Sequence, residues 1–332
     1  MLPVEQLDPS GPLVQLVSHK WSTTPHIALY LFFGGLGAGV FIVAAICDLV
    51  SVKAPRFEAV AKAAGYLAFP MAAIGGLFLT IHLGKAERGI LFPLYFTNFK
   101  SWMVIGAWIL APFMAVSAAY LALWYFGVAR RARIVVDIIG IPVAIGLAAY
   151  TGFLLAGPGF IPLWSQKYLP IMFLNSGITT GIALAGIATL VATQISLPVV
   201  GPIRLEDRDR TSVIRWLTVF LGIAILVESF ELYSFMGYLT ETAKGGKLIV
   251  HLLTQGALSS WFWGGVVGVA LGLPLLLAAV SFLSKRPIPA LVYSCFGLAL
   301  IGGLILRFVI VWGGEFKQPL VFPPSKWPFN LY

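Results

Sequence analysis

Between His82 and Trp102 the chain reads HLGKAERGILFPLYFTNFKSW. Four ionisable residues, His82, Lys85, Glu87 and Arg88, stand within seven positions at its start. The stretch joins two long apolar runs, 60–82 and 101–127, and a plain connector needs no such set. Imidazole changes charge close to neutral pH, so His82 is the natural proton donor or acceptor of the group. At a membrane–water boundary charges are wetted yet see a lower dielectric than bulk water. A proton-accepting redox ligand could be bound and titrated there. The same residues also admit a plainer account, in which Lys85 and Arg88 snorkel toward water and Glu87 pairs with one of them.

Other chemistry-bearing residues gather at the same side of the chain. All four histidines fall there: His19 and His26 before or at the first apolar run, His82 at the end of the second, His251 before the seventh. Tyr30 lies near the start of the first run, Ser101 and Trp102 open the third, and Tyr150, Thr151 and Gly152 close the fourth. Each Tyr or Trp alone fits an interfacial anchor. Together they place a histidine, an acid, two bases, a tyrosine and a threonine around one pocket enclosed by the first four runs. A b-type haem needs axial histidines on facing helices within the membrane, and these histidines are too shallow for that. Deeper in the sequence, Glu228 and Glu231 are three apart and share one helical face. Arg307 in the last run is a candidate partner for one of them, since an unpaired charge at that depth is costly. That trio serves either as a structural ion pair or as a proton relay. Asp48 and Asp137 stand at the far ends of the first and fourth runs, as solvated helix-end charges or as entry points for protons.

These residues are carried by a very apolar chain. Of 332 residues 59% are hydrophobic and 11% charged, against roughly 25% charged in soluble domains. This is the composition of an integral membrane protein with almost no soluble part, and it leaves no room for an iron–sulfur, flavin or nucleotide domain. The net charge of +9 sits in loops and is not a nucleic-acid footprint. Cys47 and Cys295 both lie in apolar runs and form no CxxC pattern, which argues against an intrinsic iron–sulfur cluster, a disulfide framework or a zinc site. The start, MLPVEQLDPSG, lacks the basic and apolar regions of a signal peptide, so the first run is expected to insert as a true span.

The spacing predicts an all-α membrane protein with an N-terminal tail (1–25), a transmembrane domain (26–312) and a C-terminal tail (313–332). Eight runs are long enough to cross a bilayer: 26–50, 60–84, 101–127, 133–156, 169–196, 212–241, 257–283 and 288–312. Backbone groups in lipid must be satisfied internally, so these runs are helices. Glycines at 34, 35, 37 and 39, and at 264, 265 and 268, permit close helix packing. Pro70, Pro112, Pro142 and Pro274 are expected to kink their helices. Eight spans put both termini on one face, here called side A, with the opposite face side B. Loops and helix ends of side B carry twelve Lys and Arg, in shorter loops, against nine on side A. By the positive-inside rule side B is cytoplasmic and both termini are outside, in the periplasm of an inner-membrane protein.

Several segments resemble the NrfD/PsrC family, the membrane subunits of polysulfide reductase-type complexes. They are YLFFGGLGAGVF (30–41), HLGKAER (82–88) followed by KSW (100–102), YTGFLLA (150–156) and LPIMFLNSGITTG (169–181). Ala86 stands where the family usually has Pro. The resemblance covers nearly the whole sequence and implies a subunit that binds a menaquinone or ubiquinone near one face. It also implies docking at that face against a ferredoxin-like iron–sulfur subunit, which usually connects to a molybdopterin catalytic subunit. In that reading the first four helices form the quinone-binding bundle, and the protein has no haem and no iron–sulfur cluster of its own. His26, Tyr30, His82, Lys85, Arg88, Trp102, Tyr150 and Thr151 would then bind the quinone, and His82, Glu87, Glu228 and Glu231 would handle its protons. The competing readings are a secondary transporter centred on Glu228, Glu231 and Arg307, and a purely structural anchor.

Overall fold

The computed structural model describes residues 25–82, 99–157, 159, 161–195, 205–241, 243, 245–284 and 288–315. Among them there is no strand, and eight helices are long and apolar enough to cross a membrane. They are α1 (His26–Ser51), α2 (Glu58–His82), α3 (Trp102–Tyr125), α4 (Arg130–Leu155), α5 (Leu169–Gln194), α6 (Asp207–Glu241), α8 (Trp261–Leu283) and α9 (Pro289–Glu315). The expected spans are therefore all present. A further short helix, α7 (Gly246–Thr254), precedes α8 and carries His251 on an exposed face. Nine residues cannot cross a bilayer, which is why hydropathy alone passes over α7.

Where ends differ from the apolar runs, polar residues explain the difference. α6 begins five residues before its run because Asp207 and Asp209 sit in its first turn, where the helix dipole favours acids. α4 begins at Arg130 although cations are disfavoured at a helix start. Acids of α1 and α2 offset that, since Arg133 binds Asp48 at 3.0 Å and Glu58 at 3.2 Å. The α3–α4 connection closes on Gly127, whose φ of 63° is a left-handed conformation that suits glycine. Within the spans, Thr180, Thr189 and Thr218 return their hydroxyls to the carbonyl four residues back, so these hydroxyls need no partner in lipid.

α1 is the axis of the molecule: 83% of its most apolar window is buried, against 28% for α3. It packs on α2, α4, α5 and α9. The GGLGAG run permits this. A Cβ at Gly37 would lie 2.8 Å from the Ala72 backbone nitrogen of α2. One at Gly39 would overlap the Gly177 carbonyl of α5. Small residues thus bring backbones together where lipid gives no hydrophobic drive to associate. Pro70, Pro112 and Pro142 lie inside α2, α3 and α4. Pro274 instead marks the point in α8 where a π-helical first half, Trp261–Gly272, becomes α-helical, Leu273–Leu283.

Candidate functional site

The side A ends of α1 to α4 come together through aromatic contacts. His26, the first residue of α1, stacks on Phe78 of α2 with centroids 6.4 Å apart, and Phe33 of α1 stacks on the same ring at 5.9 Å. Trp102, at the start of α3, lies flat on Phe153 of α4, with 4.7 Å between centroids and 8° between planes. Between these pairs are two buried tyrosines. Tyr30 of α1 is wholly enclosed, and its hydroxyl makes no well-formed hydrogen bond among the described residues. The Tyr150 hydroxyl of α4 lies beside it. The Tyr150 ring reaches α3 because position 106 is glycine: the phenol tip occupies the space a Cβ would need.

The other expected residues fall into three groups. His82 closes α2 and is half-buried, on the same side as His26. Thr151 is fully buried, its methyl against Gly34, and it gives its proton to the Ala148 carbonyl at 2.6 Å. It therefore forms part of the wall, with its donor already committed. Lys85, Glu87 and Arg88 lie outside the described residues. The structure thus joins His26, Tyr30, Trp102, Tyr150 and Thr151 at the adjoining ends of four helices.

A second polar group lies on the other flank of α1. Gly34 faces Thr151, and Gly35, one residue on, faces the Arg307 guanidinium of α9. Arg307 is buried, donates to the Phe173 carbonyl of α5 at 3.1 Å, and lies over the Phe173 ring at 3.7 Å. Its Nε and Nη1 have no partners among the described residues. Glu228 of α6 is buried nearby, facing Ser176 and Thr179, but no Glu228–Arg307 ion pair forms within 4.0 Å among the described residues. Glu231 instead accepts a hydrogen bond from Asn175 at 3.4 Å. The expected pairing of Arg307 with a glutamate is replaced by proximity, and Glu228 has the α5 side chains Ser176 and Thr179 as its polar neighbours. Asn175, Ser176 and Thr179 escaped the sequence reading because hydroxyls and amides in a span are common as packing and carry no pattern of their own.

Asp48 and Asp137 differ from the solvated helix-end reading: both are fully buried. Three neighbouring helices cover them, which spacing along one chain does not reveal.

The model of the family described as "Polysulphide reductase, NrfD" matches residues 17–317. The chain belongs to the NrfD family. A polysulfide reductase component from Wolinella succinogenes is 29% identical over 307 residues, covering 87% of this sequence and 93% of that protein. The Escherichia coli protein NrfD is 28% identical, with the same coverage. A selenate reductase component from Mesobacillus selenatarsenatis is 25% identical, over 86% of this sequence and 72% of its own length. The NrfD match spans all eight long helices, so the aromatic cluster and the Arg307 group both lie inside the family's common region.

Proposed function

We propose that this chain is the quinone-reactive membrane subunit of a multi-subunit oxidoreductase. In this reading it exchanges electrons between the quinone pool and a ferredoxin-like iron–sulfur subunit docked on side A, with a molybdopterin subunit beyond. The names of its NrfD relatives support an oxidoreductase complex, and the side A cluster supports the quinone. A quinone ring needs donors at its carbonyls and flat apolar faces. The single observation that carries the assignment is the buried pair of hydroxyls, Tyr30 beside Tyr150, at the adjoining ends of four helices. Two facing phenols can satisfy only one of their two O–H donors between themselves, and the donor left over in a low-dielectric site is costly unless something accepts from it.

The bound quinone supplies the two-electron, two-proton chemistry. The protein's residues do the rest. Tyr30 and Tyr150 orient the head group by donating hydrogen bonds. The stacked rings of His26, Phe78 and Phe33 form an apolar wall that excludes water. His82 gives or takes the proton at the rim, where imidazole matches working pH, with Lys85, Glu87 and Arg88 tuning it. Glu228 and Glu231 hold protons on the far flank of α1. Side B faces the cytoplasm and both termini lie outside.

The test is the purified complex. His82→Ala and Tyr150→Phe should assemble normally, and donor oxidation with artificial dyes at the partner subunits should survive. Quinone-linked turnover should fall. Loss of one phenol hydrogen bond, about 0.5–1.5 kcal/mol, predicts that Tyr150→Phe raises the KM for quinone by about two- to tenfold. Wild-type quinone turnover by both variants at every pH between about 6 and 8 would make these residues interfacial packing only.

A further inference from the structure

At the opposite, side B ends of α1 to α4 lies a polar cluster that quinone binding leaves unused. Asp48 of α1 and Asp137 of α4 are both fully buried there. Asp48 is well served: Arg133 Nε reaches it at 3.0 Å, and the Arg133 guanidinium lies 3.7 Å from the centre of the Trp124 ring. Arg130 donates to the Asp48 backbone carbonyl at 3.1 Å and to the Ser51 hydroxyl. Asp137 has less: Asp48, Arg133 and the fully buried Tyr120 hydroxyl of α3 are its neighbours, but neither of its carboxylate oxygens, nor the Tyr120 hydroxyl, makes a well-formed hydrogen bond among the described residues.

The charges do not balance. Asp48, Asp137 and Glu58 of α2 are three acids; Arg130 and Arg133 are two bases. Cys47 is the other titratable group beside Asp48. One negative charge is left over, in a place where an uncompensated carboxylate is expensive. Its unused ligands are all oxygen, which suits a proton or a hard cation. A divalent ion would overshoot and repel the two arginines. The route is short, because the Glu58 and Arg130 side chains, 45% and 36% exposed, link the cluster to the side B surface. We propose that Asp137, with Asp48 and Tyr120, binds one exchangeable monovalent cation, a proton or a sodium ion, taken up from side B.

The experiment uses the whole complex in nanodiscs and reads the midpoint of thermal unfolding of this subunit. In one arm sodium is raised at constant pH and ionic strength, with choline as the replacement. In the other arm pH is lowered in sodium-free buffer. Each wild-type curve is compared with that of Asp137→Asn, which keeps the shape and removes the surplus charge. The wild type should gain stability relative to the variant in one arm; a sodium response identifies the ion, and a response to acid alone identifies the proton. If Asp137→Asn does not assemble, Tyr120→Phe stands in for it. Removing one ligand oxygen should shift the wild-type response to higher cation concentration by up to about tenfold. Curves that coincide with the wild type in both arms, for whichever variant assembles, overturn the proposal.

Discussion

Arg133 shows how one residue can hold an acid that the sequence leaves looking ordinary. It is the direct counter-charge of a fully buried Asp48 and reaches Glu58 as well. Removing one partner of a buried pair typically costs about 3–5 kcal/mol, because the other charge stays uncompensated. Arg133→Ala should therefore lower the unfolding midpoint sharply, and the double change Asp48→Asn with Arg133→Met should recover most of the loss. A double variant as unstable as Arg133→Ala would mean that the cost comes from lost packing on Trp124 and not from the charge. At this scale the sequence was legible wherever a residue's role follows from its own place in a span. His26, Tyr30, Trp102 and Tyr150 sit near side A ends, and the structure brings them to adjoining helix ends. Burial of Asp48 and Asp137, and the commitment of the Thr151 hydroxyl to Ala148, depend on neighbours distant in sequence or on a rotamer. Neither can be read from residue type and spacing.

Among the helices, glycine has two opposite roles, and the contacts separate them. Gly39 lies where α1 meets the carbonyl of Gly177, with no room for a methyl group. Gly297 on α9 has nothing within 4 Å of a would-be Cβ. Gly39→Ala should abolish or strongly reduce the yield of folded protein. Gly297→Ala should be neutral, or stabilising by up to about 1 kcal/mol through helix propensity. Folded yield by size-exclusion in detergent compares the two directly, and equal yields would mean that α1 and α5 are not locked as described. The existence of eight spans was legible because twenty apolar residues in lipid have one good solution. The π-helical half of α8 was not. Its geometry accompanies tertiary contacts, Gly265 against Ile305 and Gly302 against Ala270, that no local signal encodes.

For the whole molecule, orientation is the open quantity with a clean measurement. The excess of Lys and Arg in side B loops predicts that side B faces the cytoplasm. Single cysteines at Ser165 and Ser284 should then behave oppositely: Ser165→Cys should react with an impermeant thiol reagent in intact cells, and Ser284→Cys only after lysis. The native thiols give little background, since Cys47 is 7% exposed and Cys295 is fully buried. The reverse pattern would invert the topology and move the docking face proposed for an iron–sulfur partner to the cytoplasm.

α1 is closely seated against its neighbours. A piston or screw motion would drive its carbonyls and amides into those of α2 and α5, which touch it at Gly37 and Gly39. Yet a single residue step of this same helix, about 100° of rotation, separates Thr151, at Gly34, from Arg307, at Gly35. A charge change on one flank would then reach the other as electric potential across closely packed backbone. A unit charge about 10 Å away at an effective dielectric of 20 is felt as about 1.7 kcal/mol, about a seventeenfold change in any equilibrium on the other side. At this point the bundle works as a capacitor and not as a lever.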